Sequence, residues 1–358
     1  MKKIVMTGGG TAGHVTPNLA LIPQLEKDGW EISYIGTKDG IEHELIQREG
    51  IPYYEIQSGK LRRYLSAENI KDAFKVLKGI SEAKKLLKKL QPDVIFSKGG
   101  FVSVPVVIAG GRLGIPVVIH ESDVTLGLAN KLSVSFAKTV CTSFPETVKY
   151  IKNNKSKFTG APVRKELFLS SKDKGLSFLG FDDLKPIILA MGGSLGAVKI
   201  NNGLRAALPS LLKDFQIVHL CGKGNLDESL NNEVGYKQFE YLNEELGDVL
   251  ASADIIVSRA GSNSISEFLA LRKPSLLIPL SQKASRGDQI LNAESFKKRG
   301  FAHVLDEDDI GRIESEIRYL YENKDKCVNA MNTSGEINGV DEILKEIYAA
   351  ANYERNED

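Results

Sequence analysis

The sequence predicts an α/β protein with two Rossmann-like domains. Its 358 residues are more than one ordinary hydrophobic core accommodates. Short apolar runs rich in β-branched residues alternate with longer helical patterns along most of the chain, which is typical of βαβ units and parallel sheets. The succession of strand, glycine turn and helix also begins twice, at residues 4–13 and at residues 187–196. The simplest explanation is that each domain opens with such a turn.

The strands and the domain joint follow from the same patterns. The predicted strands are 4–7, 32–35, 94–97, 117–120 and 139–142 in the first half, and 187–191, 216–220, 255–258 and 275–278 in the second. Gly160 and Pro162 indicate the joint, so we expect one domain at 1–162 and another at 163–339. A last helix, within 340–358, could by its pattern belong to either domain.

The overall charge hides a strong asymmetry between the two halves. The net charge is +1, yet residues 1–162 hold 23 Lys and Arg against 15 Asp and Glu, which gives +8. The remaining residues hold 24 against 31, which gives −7. The basic first half is therefore compatible with an anionic partner.

The sequence also predicts the compartment. Its three cysteines are far apart and form no CxxC pair, which favours a reducing cytosol. We expect no secretory leader, because a glycine loop follows the first short strand. The most apolar stretch, 101–119, is interrupted by Pro105, Arg112 and Pro116 and does not predict a membrane span.

The first glycine loop, residues 8–14, follows a strand and opens a helix, where backbone N–H groups favour an anion. It matches G-x-G-x-x-G through Gly8, Gly10 and Gly13, but the second strand ends without the acidic residue that a dinucleotide site needs. A turn without a ligand is the alternative. His14, at the junction, is a candidate proton acceptor, although a lone histidine is more often structural.

A second loop, residues 97–103, places Lys98 at its mouth, ahead of Gly99 and Gly100. Two such loops in one domain suggest a ligand that carries a diphosphate, unless crowded packing alone requires the glycines. Further along, Glu121 and Asn130 could line the same cleft.

The second half repeats this chemistry. The loop 192–196 offers backbone amides and the Ser194 hydroxyl to a phosphate. The segment 258–267 follows a strand and opens a helix, so its amides again favour an anion. Glu267 could take both hydroxyls of a ribose, or could be a favourable charge near a helix start. Gln289 could bind sugar hydroxyls.

Together these motifs resemble the MurG family of bacterial glycosyltransferases, which transfer N-acetylglucosamine from UDP-GlcNAc to lipid I and form lipid II in peptidoglycan synthesis. The similarity covers nearly the whole chain. It is carried by the loops 8–14 and 98–103, by His120-Glu121 with Asn130, by 162–164, by 192–196, by 259–267 and by Gln289 with Asn292-Ala293. It implies a GT-B architecture, with two Rossmann-like domains facing across a cleft and the C-terminal helix returning to the first domain.

The resemblance implies a role for each matching residue. His14 is the leading catalytic base and Glu121 the reserve. Gly10, Gly99 and Gly100 would hold the acceptor diphosphate. The residues implied for UDP-GlcNAc are Thr11, Ala12, Gly13, Asn130, Arg164, Ser194, Leu242, Ser262, Asn263, Ser264, Glu267 and Gln289. Many relatives have glycine where Ala12 stands, and alanine there needs a negative φ.

The family transfers the sugar with inversion, by one in-line displacement on the 4-hydroxyl of N-acetylmuramic acid. Helix N-termini and Arg164 could stabilise the leaving diphosphate without a metal. The single D-x-D pattern, Asp306-x-Asp308, follows a predicted strand and is expected to be solvated surface. We therefore expect neither a metal nor a cofactor.

The lipid acceptor implies a membrane surface. Residues 60–89 carry ten Lys and Arg against three acids, and Ile70, Phe74, Leu77 and Ile80 recur with a helical period. This segment is either an amphipathic helix with a solvated basic face or a patch that binds anionic inner-leaflet phospholipid. We expect a peripheral protein on the cytoplasmic face of the cell membrane, with other cell-wall synthesis enzymes as candidate partners and no nucleic acid.

Other functions are compatible with parts of the pattern. They are another GT-B glycosyltransferase, a UDP-GlcNAc epimerase, a nucleotide-linked dehydrogenase and a non-enzymatic nucleotide-binding protein. The two neighbouring glycine loops favour a diphospholipid acceptor, and the missing ribose acid opposes the dehydrogenase.

Overall fold

The computed structural model describes residues 1–59, 67–193, 196–281, 287–336 and 338–355, with side chains in the helix that begins at Ala67 described from Asp72 onward. The contacts between residues divide the chain into two units. The first comprises Met1–Arg164 and Asn338–Asp358, and the second comprises Lys165–Ile337. The C-terminal segment thus packs with the first unit, although it follows the second in sequence.

Each unit is built on one parallel sheet. The strands are β1 (Lys3–Thr7), β2 (Glu31–Gly36), β3 (Tyr53–Glu55), β4 (Val94–Ser97), β5 (Val117–Glu121), β6 (Thr139–Thr142), β7 (Ser156–Phe158), β8 (Ile187–Met191), β9 (Gln216–Leu220), β10 (Tyr236–Phe239), β11 (Ile255–Ser258), β12 (Ser275–Leu277) and β13 (Ala302–Val304). The first sheet has the order β3-β2-β1-β4-β5-β6-β7, and the second has the order β10-β9-β8-β11-β12-β13. In both sheets the order reverses beside the first strand, which is where open α/β sheets bind ligands.

Helices connect these strands. The α-helices are α1 (Thr16–Leu19), α2 (Ile22–Lys27), α3 (Ile41–Arg48), α4 (Ala67–Leu90), α5 (Ser103–Arg112), α6 (Leu128–Ser133), α7 (Lys172–Leu179), α8 (Val198–Leu211), α9 (Leu246–Ser252), α10 (Ser262–Ala270), α11 (Asp288–Lys298), α12 (Ile313–Glu322), α13 (Lys324–Ser334) and α14 (Val340–Ala350). Short 3-10 turns lie at Ala12–His14, Val134–Phe136, Pro145–Tyr150, Lys165–Leu169, Glu228–Leu230 and Glu307–Arg312. The alternation of strands and helices confirms the predicted fold class of two parallel α/β domains.

The alternating side chains of β1 build two hydrophobic cores, one on each face of the first sheet. Ile4 and Met6 belong to one core, whereas Val5 belongs to the other. The first core also contains Ile343 and Ile347 of α14, which is why the C-terminal helix packs with this unit. Burial of this apolar face stabilises α14 more than helix propensity alone would.

Polar contacts attach the same helix to the loop after α2. The Tyr348 ring stacks on Trp30, with 5.5 Å between the ring centroids. The Tyr348 hydroxyl donates a hydrogen bond of 2.5 Å to Asp28, and Arg355 forms an ion pair with the same carboxylate at 3.3 Å. Aromatic packing and a shared carboxylate therefore hold the chain end in place.

Helix α4 covers the opposite core with one face and leaves two large apolar side chains outside. Val76, Ala83 and Leu87 are buried. Phe74 and Leu77, in contrast, are 68% and 62% exposed. The structure therefore leaves Phe74 and Leu77 of the predicted apolar series on the solvent-exposed surface. The predicted basic residues Lys60, Arg62 and Arg63 and the side chain of Ile70 lie outside the described part of the chain.

Candidate active site

The two glycine loops of the first unit lie side by side where the strand order reverses. One follows β1 and the other follows β4. Gly100 has φ +81°, and a Cβ there would overlap the carbonyl oxygen of Gly9. Gly10 has φ +86°, and a Cβ there would overlap the Phe101 ring. Backbone conformation and close packing therefore both require glycine, and the loops form one continuous surface at the end of the sheet.

His14 ends the 3-10 turn that follows the first loop. Its Nδ1 lies 2.8 Å from the hydroxyl oxygen of Thr11, and its side chain is half-buried. Ala12 begins the turn and is not among the residues with positive φ. Alanine therefore fits this position without the strain that the sequence left open.

Glu121, the last residue of β5, forms a buried polar pair with Asn130 of α6. The Glu121 carboxylate accepts hydrogen bonds from the backbone N–H of Gly127 (2.9 Å) and Asp123 (3.1 Å) and from the side chain of Asn130 (2.9 Å). Burial raises the pKa of Glu121, and the nearby Asp123 raises it further, whereas these hydrogen bonds lower it; the net shift is upward. Asn130 also packs against Gly99, so this pair supports the second glycine loop from behind.

The sequence predicted Lys98 at the mouth of its loop. In the structure, its side chain instead lies inside the protein. Its side chain is 1% exposed, and its amine donates to the Ser122 hydroxyl. Burial lowers the pKa of Lys98 to about 8, against the opposing effect of Glu121 and Asp123. His120, on the same edge, is fully buried, with its Nε2 3.0 Å from the Gly160 carbonyl oxygen. Burial lowers the pKa of His120 well below its ordinary value.

In the second unit, the loop after β8 also contains glycines with positive φ. Gly193 has φ +85°, and a Cβ at Gly196 (φ +74°) would overlap the Cys221 carbonyl oxygen. Ser194, a predicted phosphate contact, lies outside the described residues. Beyond the loop, Ala197 is the N-cap residue of α8, which begins at Val198.

The other predicted donor residues of this unit belong to α10, to α11 and to the loop before α9. Gly261 precedes α10 and has no side chain that could cap the helix, and Ser262, Asn263 and Ser264 form its first turn. Glu267 lies in the second turn and is half-buried, and Leu242, in the loop, is also half-buried.

Gln289 is held by a backbone contact. Its Oε1 accepts a hydrogen bond of 3.1 Å from the N–H of Leu280, in the segment that follows β12. The neighbouring Asn292 donates 3.3 Å to the carbonyl oxygen of Ala260, just ahead of α10. These contacts attach the start of α11 to the loops after β11 and β12. Arg164, predicted for the diphosphate, is the last residue of the first unit before the chain enters the second.

A buried ion pair in the second unit was not predicted from the sequence. The Arg259 guanidinium donates to the Ile278 carbonyl oxygen (3.0 Å) and to the Glu307 carboxylate. Glu307 is 6% exposed, whereas Asp306 and Asp308 on either side are exposed as predicted. Burial raises the pKa of Glu307, but Arg259 and Lys199 together lower it by more than burial raises it. The pKa of Glu307 therefore lies below its usual range. No periodic signal distinguished the buried acid from its exposed neighbours.

Comparisons with known proteins identify the family. The N-terminal domain model of glycosyltransferase family 28 matches residues 4–142, and the C-terminal domain model of this family matches residues 187–347. The chain is 59% identical over 347 residues to the UDP-N-acetylglucosamine–N-acetylmuramyl-(pentapeptide) pyrophosphoryl-undecaprenol N-acetylglucosamine transferase of Clostridium botulinum (strain Alaska E43 / Type E3), covering 96% of this chain and 97% of that protein. It is 57% identical over 353 residues to transferase 2 of the same description from Bacillus cereus, covering 98% and 100%.

The chain belongs to glycosyltransferase family 28. Within family 28 it groups with the N-acetylglucosamine transferases, and the resemblance to MurG is confirmed. A solved family member, Acinetobacter baumannii MurG, superposes with a TM-score of 0.77 at 26% identity, covering 98% of this chain and 100% of that one. The fold alone is shared with the Neisseria meningitidis UDP-GlcNAc 2-epimerase bound to UDP-GlcNAc (TM-score 0.70, 15% identity, 98% and 100% covered). These neighbours confirm the GT-B fold class.

Proposed function

We propose that this family 28 enzyme transfers N-acetylglucosamine from UDP-GlcNAc to the 4-hydroxyl of N-acetylmuramyl-(pentapeptide) pyrophosphoryl-undecaprenol, converting lipid I to lipid II. The observation that carries the proposal is the 59% identity over 96% of the chain to a transferase with this description. The paired glycine loops of the first unit support it, because crowded backbone amides beside a sheet's strand ends suit a diphosphate-bearing acceptor.

The second unit would hold the donor. The first turn of α10, at Ser262, Asn263 and Ser264, can present N–H groups to the UDP diphosphate, with Ser194 and Arg164 as further contacts. Glu267 would bind the ribose hydroxyls, the backbone near Leu242 the uracil, and Gln289 the sugar. The position of α10 supports this assignment. The helix begins shortly after β11, and β11 lies beside β8 in the centre of the second sheet.

The first unit would hold the acceptor and the base. Gly10, Gly99 and Gly100 line the surface proposed for the acceptor diphosphate. Thr11, Ala12, Gly13 and Asn130 are proposed to face the reacting centre and the donor. His14 would accept the proton of the attacking hydroxyl; this requires the tautomer in which Nδ1–H donates to Thr11, leaving Nε2 to accept. Glu121 stays the reserve, because its carboxylate is buried among three donors.

The reaction would be one in-line displacement with inversion. The acceptor oxygen forms its bond to the anomeric carbon as the bond to the UDP oxygen breaks. The diphosphate leaves with an added negative charge. Helix N-termini and Arg164 would stabilise this charge. In the described part of the chain, no group of three or more His, Cys, Asp or Glu side chains is arranged to hold a metal ion.

Transfer of radiolabelled N-acetylglucosamine to lipid I tests the function and the base together. The wild type should form lipid II, and His14→Ala should lose about 100-fold or more in kcat, as expected for a general base. His303→Ala, on the edge strand β13 of the second unit, is the matched control and should keep full activity. Substantial activity of His14→Ala would assign the base elsewhere; absence of transfer by the wild type would refute the function.

A peripheral position on the cytoplasmic face of the membrane is part of the proposal. The exposed side chains of Phe74 and Leu77 lie on the same helix as the exposed Lys75 and Lys78. Apolar side chains among basic ones suit an anionic phospholipid surface, where each basic residue contributes about 1 kcal/mol. No helix in the described ranges is long and apolar enough to cross a bilayer.

Sedimentation with vesicles tests this surface. The wild type should bind phosphatidylglycerol vesicles at low salt and dissociate at high salt. The double variant Phe74→Ser/Leu77→Ser should bind at least tenfold more weakly. Leu184→Ser, which replaces an 88% exposed leucine of the second unit, is the matched control. Equal binding of the double variant and the control would exclude α4 as the contact.

A further inference from the structure

Glu42, in the first turn of α3, carries a fully buried carboxylate that contacts the first glycine loop. Its Oε2 accepts a hydrogen bond of 3.1 Å from the N–H of Gly10. Its Oε1 accepts from the Thr37 N–H at 3.2 Å and from the Thr37 hydroxyl at 2.5 Å. Glu42 thereby joins the loop that follows β1 to the loop that follows β2.

The backbone is shaped around this carboxylate by three glycines. A Cβ at Gly9 would lie 2.5 Å from the Glu42 carboxyl carbon. A Cβ at Gly40 would overlap the same carboxyl group, and one at Gly36 would lie 3.0 Å from the Glu42 side chain. Glu42 therefore fills a cavity that exists only because these positions lack side chains.

Packing alone does not explain a glutamate here. Burying a carboxylate costs several kcal/mol unless hydrogen bonds compensate, whereas a leucine or methionine would fill a cavity without that cost. Among the described residues, no Lys or Arg forms an ion pair with Glu42. Three donors, two of them backbone N–H groups, provide the compensation. The negative charge is thus used to fix the position of backbone amides.

The other side of the loop is held by a second buried network. The Tyr34 hydroxyl donates 2.7 Å to the Gly8 carbonyl oxygen, and Asn18 donates 2.9 Å to the Tyr34 hydroxyl. Asn18 also lies 3.4 Å from the His14 carbonyl oxygen. Gly8 and Gly10 are therefore fixed from opposite sides, and the Thr11–His14 turn begins immediately after Gly10.

We propose that Glu42 is a positioning residue for the transfer reaction, which holds the first glycine loop so that the His14 turn meets the acceptor. This inference rests on the proposed function only in assigning the acceptor to this loop. It also implies that the Gly10 amide serves Glu42, so that an acceptor diphosphate would use other amides of the two loops.

Glu42→Gln isolates this role, because glutamine preserves the volume and one carbonyl oxygen. The single carbonyl oxygen can accept hydrogen bonds from only one of the two loops. The side-chain NH2 group must then face a backbone N–H of the other loop, and two donors cannot form a hydrogen bond. We expect kcat/KM for lipid I to fall about tenfold to a hundredfold. The Kd for UDP should change less than twofold, since the donor is assigned to the second unit. Amide hydrogen exchange of the peptide 8–14 should accelerate at least tenfold.

Asp93→Asn is the matched control. Asp93 accepts 2.8 Å from the Lys3 N–H, and it lies at the opposite end of the same strands. This variant should leave the exchange of 8–14 and the kinetic constants close to the wild-type values. Unchanged exchange of 8–14 in Glu42→Gln would overturn the proposal, and so would an equal loss of UDP binding and acceptor turnover. If the wild type itself fails to form lipid II, the proposed function fails, and the exchange comparison still decides the role of Glu42.

Discussion

Replacing Lys98 by methionine should stabilise the protein at neutral pH. The desolvation penalty of the buried ammonium group is larger than the stabilisation that its polar partners contribute. Burial lowers the pKa of Lys98 from its ordinary value of 10.5 to about 8, and Glu121 and Asp123 offset only part of this effect. At about 1.4 kcal/mol per pKa unit, folding disfavours the charged form by about 3 kcal/mol. The hydrogen bond to Ser122 returns about 1 kcal/mol. We therefore expect Lys98→Met to gain about 2 kcal/mol.

The gain should depend on pH in a defined direction. The unfolded chain keeps the Lys98 proton up to about pH 10.5, whereas the folded protein loses it near pH 8. Between these values the unfolded state binds more protons, so the stability of the wild type rises with pH. Below about pH 8 the buried charge lowers the free energy of unfolding of the wild type by its full amount. This destabilisation disappears as the pH rises toward 10.5. The advantage of Lys98→Met should therefore be largest near neutrality and shrink as pH rises.

Urea unfolding followed by tryptophan fluorescence provides the assay. Trp30 is the sole tryptophan of the sequence and is buried in the first unit, so its emission reports the unit that contains Lys98. Lys273→Met, followed by circular dichroism, is the comparison. The pKa of Lys273 is also lowered to about 8 by burial, but its amine donates to the carbonyl oxygens of Ala251 (2.8 Å) and Ala253 (2.6 Å). Losing these two bonds should offset most of the gain from removing the buried ammonium, so that variant should gain clearly less stability than Lys98→Met.

Two results would contradict the expected stabilisation. Destabilisation of Lys98→Met by more than about 1 kcal/mol would mean that the attraction to the two carboxylates exceeds the desolvation cost. A gain that stays constant from pH 7 to pH 10 would mean that titration of the lysine is not its source.

The remaining predictions concern the loops and the chemistry. Gly100→Ala should destabilise the first unit by about 2–4 kcal/mol, because φ is +81° and the new Cβ overlaps the Gly9 carbonyl. Gly114→Ala, at φ +75° with nothing within 4 Å of the Cβ, should cost only about 1 kcal/mol, and equal losses in urea unfolding would contradict the packing argument. Transfer activity should persist after dialysis against excess chelator, and activity that returns only on adding a divalent cation would show that leaving-group stabilisation needs a metal.

The interior of each sheet could be predicted from the sequence. Strands β4, β6, β8, β9 and β11 have the predicted bounds, β1, β5 and β12 differ by one residue at one end, and β2 is one residue longer at both ends. Inner parallel strands are covered by helices on both faces. Their sequences are therefore continuous apolar runs, which are easy to recognise. A strand was also expected before Asp306, where β13 lies. The patterns missed β3, β7 and β10, and all three are edge strands of three or four residues with partly exposed side chains.

The glycine turns at 8–13, 97–103 and 192–196 were predicted from the sequence alone, because a positive φ or a close backbone approach leaves glycine as the favoured residue. The resemblance to a transferase family rested on the order and spacing of these turns, and the full-length comparisons confirm it. Local periodicity thus determined the fold class, the inner strands and the loops that carry the proposed chemistry.

Only the tertiary structure decided how charged side chains are used. Glu42 meets Gly10 across 32 residues, and Arg259 meets Glu307 across 48. Lys98 is buried where its loop suggested exposure, and Phe74 and Leu77 are exposed although both belong to the apolar series of α4. Burial of a charge depends on which donors and acceptors the sheet order brings together, and neither propensity nor periodicity contains that information. The sequence fixes the backbone pattern locally, whereas the energetic role of each ionisable group is a property of the folded neighbourhood.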